Sequence, residues 1–159
     1  MRGLLFLLFI FNIFVLSLSQ SICNHRIIKD DANNFFEACE TGKGWNVTKK
    51  YVSSELSPFN SEVTDSLPGP PLSKVNTIKD YSEWMVGVIE EFGPKATVEI
   101  KANGIDEERN IIMYYAIFGG VSDYVYSLQF NINTCMIDSM HKIWNDGYAS
   151  KHPPENIIY

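Results

Sequence analysis

The chain has 159 residues, a formal net charge of −6, 45% hydrophobic residues and three cysteines. An acidic surface repels phosphate backbones, and no basic run interleaved with aromatics occurs, so nucleic acid is excluded as a partner. The length suits one domain able to bury its own core.

Met1-Arg2-Gly3 gives a positive start, and Leu4 to Leu16 is apolar apart from Asn12. Ser17-Leu18-Ser19 then presents small residues where a signal peptidase reads, which predicts a signal peptide over residues 1–19, cut before Gln20. A helix over Leu4 to Leu16 would be only about 20 Å long, against roughly 30 Å of hydrocarbon, so no stable membrane anchor is expected. The expected location is outside the cell or in the secretory lumen. Residues 20–29 read as an N-terminal extension, 30–147 as the domain and 148–159 as a tail.

In chain order, Asp31 is placed to cap a helix running to about Thr41, with Ala32, Phe35, Phe36 and Cys39 on one stripe and Gly42 ending it. Trp45 precedes a shorter helix with Tyr51, Val52 and Leu56, which Pro58 stops; a short strand over 58–63 follows. Ser66 to Pro71 is a loop by composition. Thr77 and Asp80 form a capping-box pattern for a third helix, where Ile78, Tyr81, Trp84, Met85, Val88, Ile89 and Phe92 mark one wide apolar stripe. Gly93-Pro94 ends it.

Four strands follow with almost no linkers: 95–102, which alternates, 110–118, which is apolar on both faces, 124–132 and 135–144. Strands so closely joined are antiparallel neighbours. The expected fold class is α+β, a curved, cone-shaped antiparallel sheet packed on the N-terminal helices.

At most one pair of cysteines can close within the chain. Cys23 with Cys39 would pin the extension to the first helix, leaving Cys135 as a buried or a reactive thiol. The histidines are scattered and no pair of cysteines has metal-ligand spacing, so neither a metal nor a cofactor is expected. Asn46-Val47-Thr48 is a glycosylation acceptor on the secretory route; alternatively, the Asn46 side chain caps a helix starting at Val47.

Several segments resemble the SnoaL-like group of the nuclear-transport-factor-2-like superfamily: Gly42-Lys43-Gly44-Trp45, Tyr81-Ser82-Glu83-Trp84-Met85, Asp106 to Asn110, Asp123 to Tyr126, and Lys142-Ile143-Trp144-Asn145-Asp146. They span most of 31–147 in the family's order. The resemblance implies a strongly curved sheet wrapped around helices, with a pocket inside the cone. It also brings cyclases, an isomerase and a dehydratase into view, beside members without catalysis. The hairpin between Phe118 and Tyr124 is shorter than in such relatives, and Ser139 stands where they tend to carry a histidine.

Acid–base chemistry in such a cone needs a carboxylate or histidine poised in an apolar cavity. The candidates are His141 and Asp146, each with a second reading: a surface histidine, and a carboxylate capping the strand end. Trp84, Tyr124, Tyr126, Met140 and Trp144 are the expected pocket lining. Strand parity sets Ser139 and His141 on one face and Asp138, Met140, Lys142 and Trp144 on the other, so Asp138 and His141 converge only across a bulge. Without an acid pair or acid–histidine pair of common parity, the sequence favours binding of a small, largely apolar molecule. The alternative is a lyase, isomerase or cyclase acting on a small carbonyl compound. Convergence of two titratable groups inside the cavity decides between them. A homodimer through the open sheet face is compatible with either.

Overall fold

The computed structural model describes residues 23–62, 74–120 and 122–145. The expected leader, the Ser66–Pro71 loop, Asp146 and the tail lie outside these residues.

Helix α1 spans His25–Glu40. It starts well before Asp31 because Asn24 is the cap: its side chain accepts from the backbone N–H groups of Arg26 and Ile27. Ala32, Phe35, Phe36 and Cys39 form the expected buried stripe. At the other end, Lys43 N donates to Ala38 O at 2.9 Å and Gly42 N to Cys39 O at 3.0 Å. This is a Schellman closure, and it needs the positive φ of 68° that Gly42 supplies. A Cβ there would also stand 2.9 Å from Ile89 Cγ1 of the third helix, so the close crossing depends on glycine.

Helix α2 is a single turn, Trp45–Thr48, continued by a 3-10 turn over Lys49–Tyr51. Gly44 occupies its N-cap position, so Asn46 lies within the helix, exposed, and does not cap it. Helix α3, Ile78–Phe92, carries the full Thr77–Asp80 capping box. It buries Ile78, Tyr81, Ser82, Trp84, Met85 and Val88, while Ile89 and Phe92 pack at the margin. At about 1.5–3 kcal/mol per large apolar side chain, this stripe is a main anchor of the fold.

The strands are β1 Phe59–Glu62, β2 Val98–Asp106, β3 Ile111–Phe118, β4 Ser122–Asn131 and β5 Met136–Asn145, in the order β1-β5-β4-β3-β2. β2 to β5 form the expected antiparallel meander. The sheet as a whole is mixed rather than antiparallel, because β1 pairs in parallel with β5, Phe59 opposite Met140. That strand covers the β5 edge, which would otherwise lie open. Residues alternate across the curved sheet. Tyr114, Tyr124, Tyr126, Met140 and Lys142 face the helices, whereas Met113, Val125 and Ile143 face outward at 43%, 41% and 40% exposure.

Two register breaks shape the interior. In β5, Gln129 pairs with Ser139 but Phe130 with Ile137, so Asp138 is the extra residue of a bulge. Ile137 and Met140 thereby both reach the core. In β2 a break between Ile100 and Ala102 moves the inward position from Ala102 to Asn103, opposite Tyr114.

The disulfide joins Cys23 to Cys135, not Cys23 to Cys39. The intervening 16-residue helix holds the latter two roughly 24 Å apart at ~1.5 Å per residue, far beyond disulfide reach. Cys135 lies in the turn before β5, at φ 56°, rather than in the strand. Cys39 is the buried free thiol, 3.6 Å from Ser82 Oγ. Burial is the main cause that pushes its pKa up, so it is held as a thiol.

Candidate active site

The interior of the cone is not uniformly apolar. Glu40, the last residue of α1, and Lys142, at mid-β5, are 1% and 0% exposed and face each other. Lys142 Nζ lies 3.3 Å from Glu40 Oε2 and 3.4 Å from Oε1. Two phenols complete the carboxylate's surroundings: Tyr81 of α3 donates to Oε1 and Tyr124 of β4 to Oε2, each at 2.6 Å. Lys142 also donates to the Tyr81 hydroxyl. Its ammonium is surrounded by aromatic faces, 3.8 Å from the Tyr124 ring centroid, 4.5 Å from Trp144 and 4.9 Å from Tyr81.

Each member arrives by a separate structural device. The Schellman closure fixes the end of α1 and hence Glu40. The capping box sets the start of α3, one turn before Tyr81. The β4–β5 pairing sets Tyr126 opposite Lys142 and Tyr124 opposite Trp144, four inward side chains on adjacent strands.

Desolvation is the largest influence on the lysine and lowers its pKa, opposed by the Glu40 carboxylate. The phenols of Tyr81, Tyr124 and Tyr126 are raised well above the ordinary tyrosine value, chiefly by burial and further by the charge of Glu40. All three therefore remain proton donors at neutral pH. Tyr126 Oη and Trp144 Nε1 are buried and make no hydrogen bond among the described residues. A buried donor without a partner costs about 1–3 kcal/mol, so these two have unspent capacity directed into the interior.

Glu40 also belongs to the wall of a cleft of about 520 Å³ between α1 and the inner face of β2. Asn33, Phe36, Glu37 and Thr41 line it from the helix, and Val98, Ile100 and Asn103 from the strand. Its volume lies within the range of small-molecule sites. Glu40 is the residue that this cleft shares with the buried cluster.

Among the sequence candidates, Trp84, Tyr124, Tyr126, Met140 and Trp144 all lie in the interior. His141 does not: it faces outward, its side chain 40% exposed and its Nε2 3.7 Å from Glu62 Oε1. Asp146 lies outside the described residues. Among the described residues no cluster of three or more potential metal ligands occurs. Sequence reasoning set Lys142 on the inward face without giving it a role, and it missed Glu40. The signal was present: Glu40 follows Phe36 by four residues, an acid on an otherwise apolar stripe.

No family model and no curated protein matches the sequence. The fold, however, has clear counterparts. A SnoaL-like protein of unknown function from Burkholderia thailandensis superposes with a TM-score of 0.57 at 7% identity, over 79% of this chain and 99% of its own. SalBIII, an epoxide hydrolase/cyclase-like enzyme in pyran ring formation in the polyether salinomycin, gives 0.53 at 11% identity, covering 79% and 95%. A putative SnoaL-like polyketide cyclase from Shewanella denitrificans gives 0.50 at 12%, covering 82% and 98%. This chain has the fold of these SnoaL-like proteins.

Proposed function

We propose that the protein is an acid–base catalyst of the lyase, isomerase or cyclase kind, acting on a small, largely apolar carbonyl compound that enters through the α1–β2 cleft. One observation carries the reading: two titratable groups of opposite charge, Glu40 and Lys142, converge with two phenols in the interior, and Glu40 also lines that cleft. The sequence favoured binding without chemistry only for want of such a convergence. Fold likeness to a cyclase-like enzyme is consistent with this reading but does not choose the reaction.

Glu40 is the base. The carboxylate is held by two phenols and by Lys142, which lies within hydrogen-bonding distance of both oxygens, so an incoming C–H must displace one of these donors to reach it. As the C–H bond beside the substrate carbonyl breaks, the proton passes to Glu40 and the electron pair moves toward the carbonyl oxygen. Tyr126 Oη–H and Trp144 Nε1–H are the unused donors for that oxygen. Lys142 keeps the site neutral throughout: it balances Glu40 before the transfer and the enolate after it. The proton then returns from Glu40 at another carbon, or the enolate carbon attacks a second carbonyl carbon of the substrate, whose C=O π pair becomes an alkoxide that takes the proton from Glu40.

The reading is tested by deuterium wash-in at the methyl group of acetylnaphthalene and a panel of simple ketones, followed by NMR. Wild type should exchange faster than buffer, and Glu40→Gln should lose about 10²–10⁴-fold. Equal rates for the two proteins across the panel would sink the assignment.

We also propose that the chain enters the secretory route and carries a glycan on Asn46. The apolar leader, the Cys23–Cys135 disulfide and the exposure of Asn46 support this. Recovery from culture medium with a mass shift on glycosidase treatment is expected; a cytosolic, reduced, unmodified chain would overturn it. A homodimer through the outer sheet face, where Met113, Val125 and Ile143 are exposed, is the proposed assembly.

A further inference from the structure

The cleft has a graded chemistry, and its outer end is built as deliberately as its floor. Phe36, Val98 and Ile100 make an apolar passage, and Asn33 and Asn103 add one amide from each wall. Asn33 shares a helical face with Phe36, Glu37 and Glu40, whereas Asn103 is not placed by strand alternation alone. The β2 register break turns Asn103 inward, where unbroken alternation would have placed Ala102. Asn103 stands opposite Tyr114, whose hydroxyl donates to Asn33 Oδ1 at 2.8 Å. That bond fixes the amide's orientation: with the oxygen engaged, the Asn33 NH₂ group is left as the donor at the cleft. The Asn103 side chain is exposed at the cleft.

The rim also excludes one class of ligand. Glu37 lies beside these amides and Glu40 at the inner end, within a chain of net charge −6. Glu37 is paired with Lys43 at 3.2 Å and Glu40 with Lys142, so discrimination against a carboxylate or phosphate comes from the net negative charge of the chain.

We propose that Asn33 and Asn103 form an amide clamp for an uncharged acceptor oxygen, such as a ketone, ester or ether, at the end of the substrate remote from the reacting carbonyl. The substrate class is thus a neutral, elongated compound with oxygen at both ends and an apolar body between. This rests on the acid–base reading of Glu40 for the identity of the inner end, but the clamp itself is a binding property measurable without turnover.

Three fluorescent probes test it on the full chain: acetylnaphthalene, the diacetyl compound with acetyl groups at opposite ends, and the corresponding acetylnaphthoic acid. Wild type should bind the diketone about tenfold more tightly than the monoketone, the scale of one good hydrogen bond, and the acid most weakly. Asn103→Leu and Asn33→Asp should each abolish the diketone preference while leaving monoketone affinity within about twofold. Asn33→Asp keeps an acceptor for Tyr114, so folding is preserved, and circular dichroism checks it. Equal affinity for the two ketones in wild type, a preference that survives in both variants, or no binding of any probe would overturn the clamp. Deuterium wash-in is scored separately: a clamp without exchange means the catalytic reading fails alone, and exchange without a diketone preference means the clamp fails alone.

Discussion

Removing Lys142 or Glu40 singly should damage the fold far more than removing both. In Lys142→Met the Glu40 carboxylate keeps its two phenol donors but loses its countercharge, at a site where the side chains are 0% and 1% exposed. In Glu40→Gln the ammonium keeps its aromatic surroundings but faces a neutral amide. Breaking a buried pair from one side costs about 3–5 kcal/mol, because the remaining charge is left in a medium that solvates it poorly. The double variant Glu40→Gln/Lys142→Met contains no uncompensated charge, and replacing a buried pair by neutral groups is often neutral or even stabilising. We therefore expect each single variant to lose about 3–5 kcal/mol and the double variant to lie within about 1 kcal/mol of wild type, a strongly non-additive cycle. Urea unfolding followed by tryptophan fluorescence measures all four proteins. Additive losses, or single variants indistinguishable from wild type, would refute a charge pair sealed in the core. The double variant then serves as a folded control for chemistry, because it should have no exchange activity at all.

Four further outcomes follow from the same coordinates. Cys23→Ala, or reduction of the native protein, should cost about 2–5 kcal/mol, since the bridge closes a loop across a separation of 112 residues; unchanged thermal stability would exclude the Cys23–Cys135 pairing. Trp144→Ala should cost about 3–5 kcal/mol because the ring packs on Tyr124 and Phe118 in the core, whereas an effect confined to ligand affinity would contradict that packing role. The raised pKa values of Tyr81, Tyr124 and Tyr126 mean that the folded state holds these protons longer than the unfolded chain, so their contribution is complete below about pH 10 and is lost above it. Phenolate absorbance for these three should therefore appear only with alkaline unfolding; smooth ionisation of every tyrosine before unfolding would contradict it. Val125→Lys on the outer face should shift sedimentation toward the monomer without loss of helix signal, and an unchanged species in both proteins would remove that face as the interface.

How much of this was legible in the sequence depends on which residues are considered. Helix α3 was readable end to end, because the Thr77–Asp80 box, the apolar stripe and Gly93 all agree. The meander was readable because its linkers are too short for crossovers. β1 was anticipated as a strand, but its parallel pairing with β5 is a long-range choice that no local pattern encodes. The expected Cys23–Cys39 bridge assumed an extension folded back on the first helix, whereas that helix starts at His25 and keeps the two cysteines apart. For the site, strand parity correctly sent Lys142 inward with Met140 and Trp144. Its acidic partner is not on the strands but at the end of α1, 102 residues away, where strand parity says nothing. A lysine on an inward strand position and a glutamate on an apolar helix stripe are each anomalies; read together, they imply one another, since a buried charge persists only when paired.

The most direct test is a crystal structure of the protein with acetylnaphthalene bound. The account predicts the ring in the α1–β2 cleft, the acetyl methyl against the Glu40 carboxylate, and the carbonyl oxygen within hydrogen-bonding distance of Tyr126 Oη or Trp144 Nε1. A ketone bound elsewhere, with the Glu40–Lys142 pair untouched and out of its reach, would make that pair a structural element of the core and contradict the proposed chemistry.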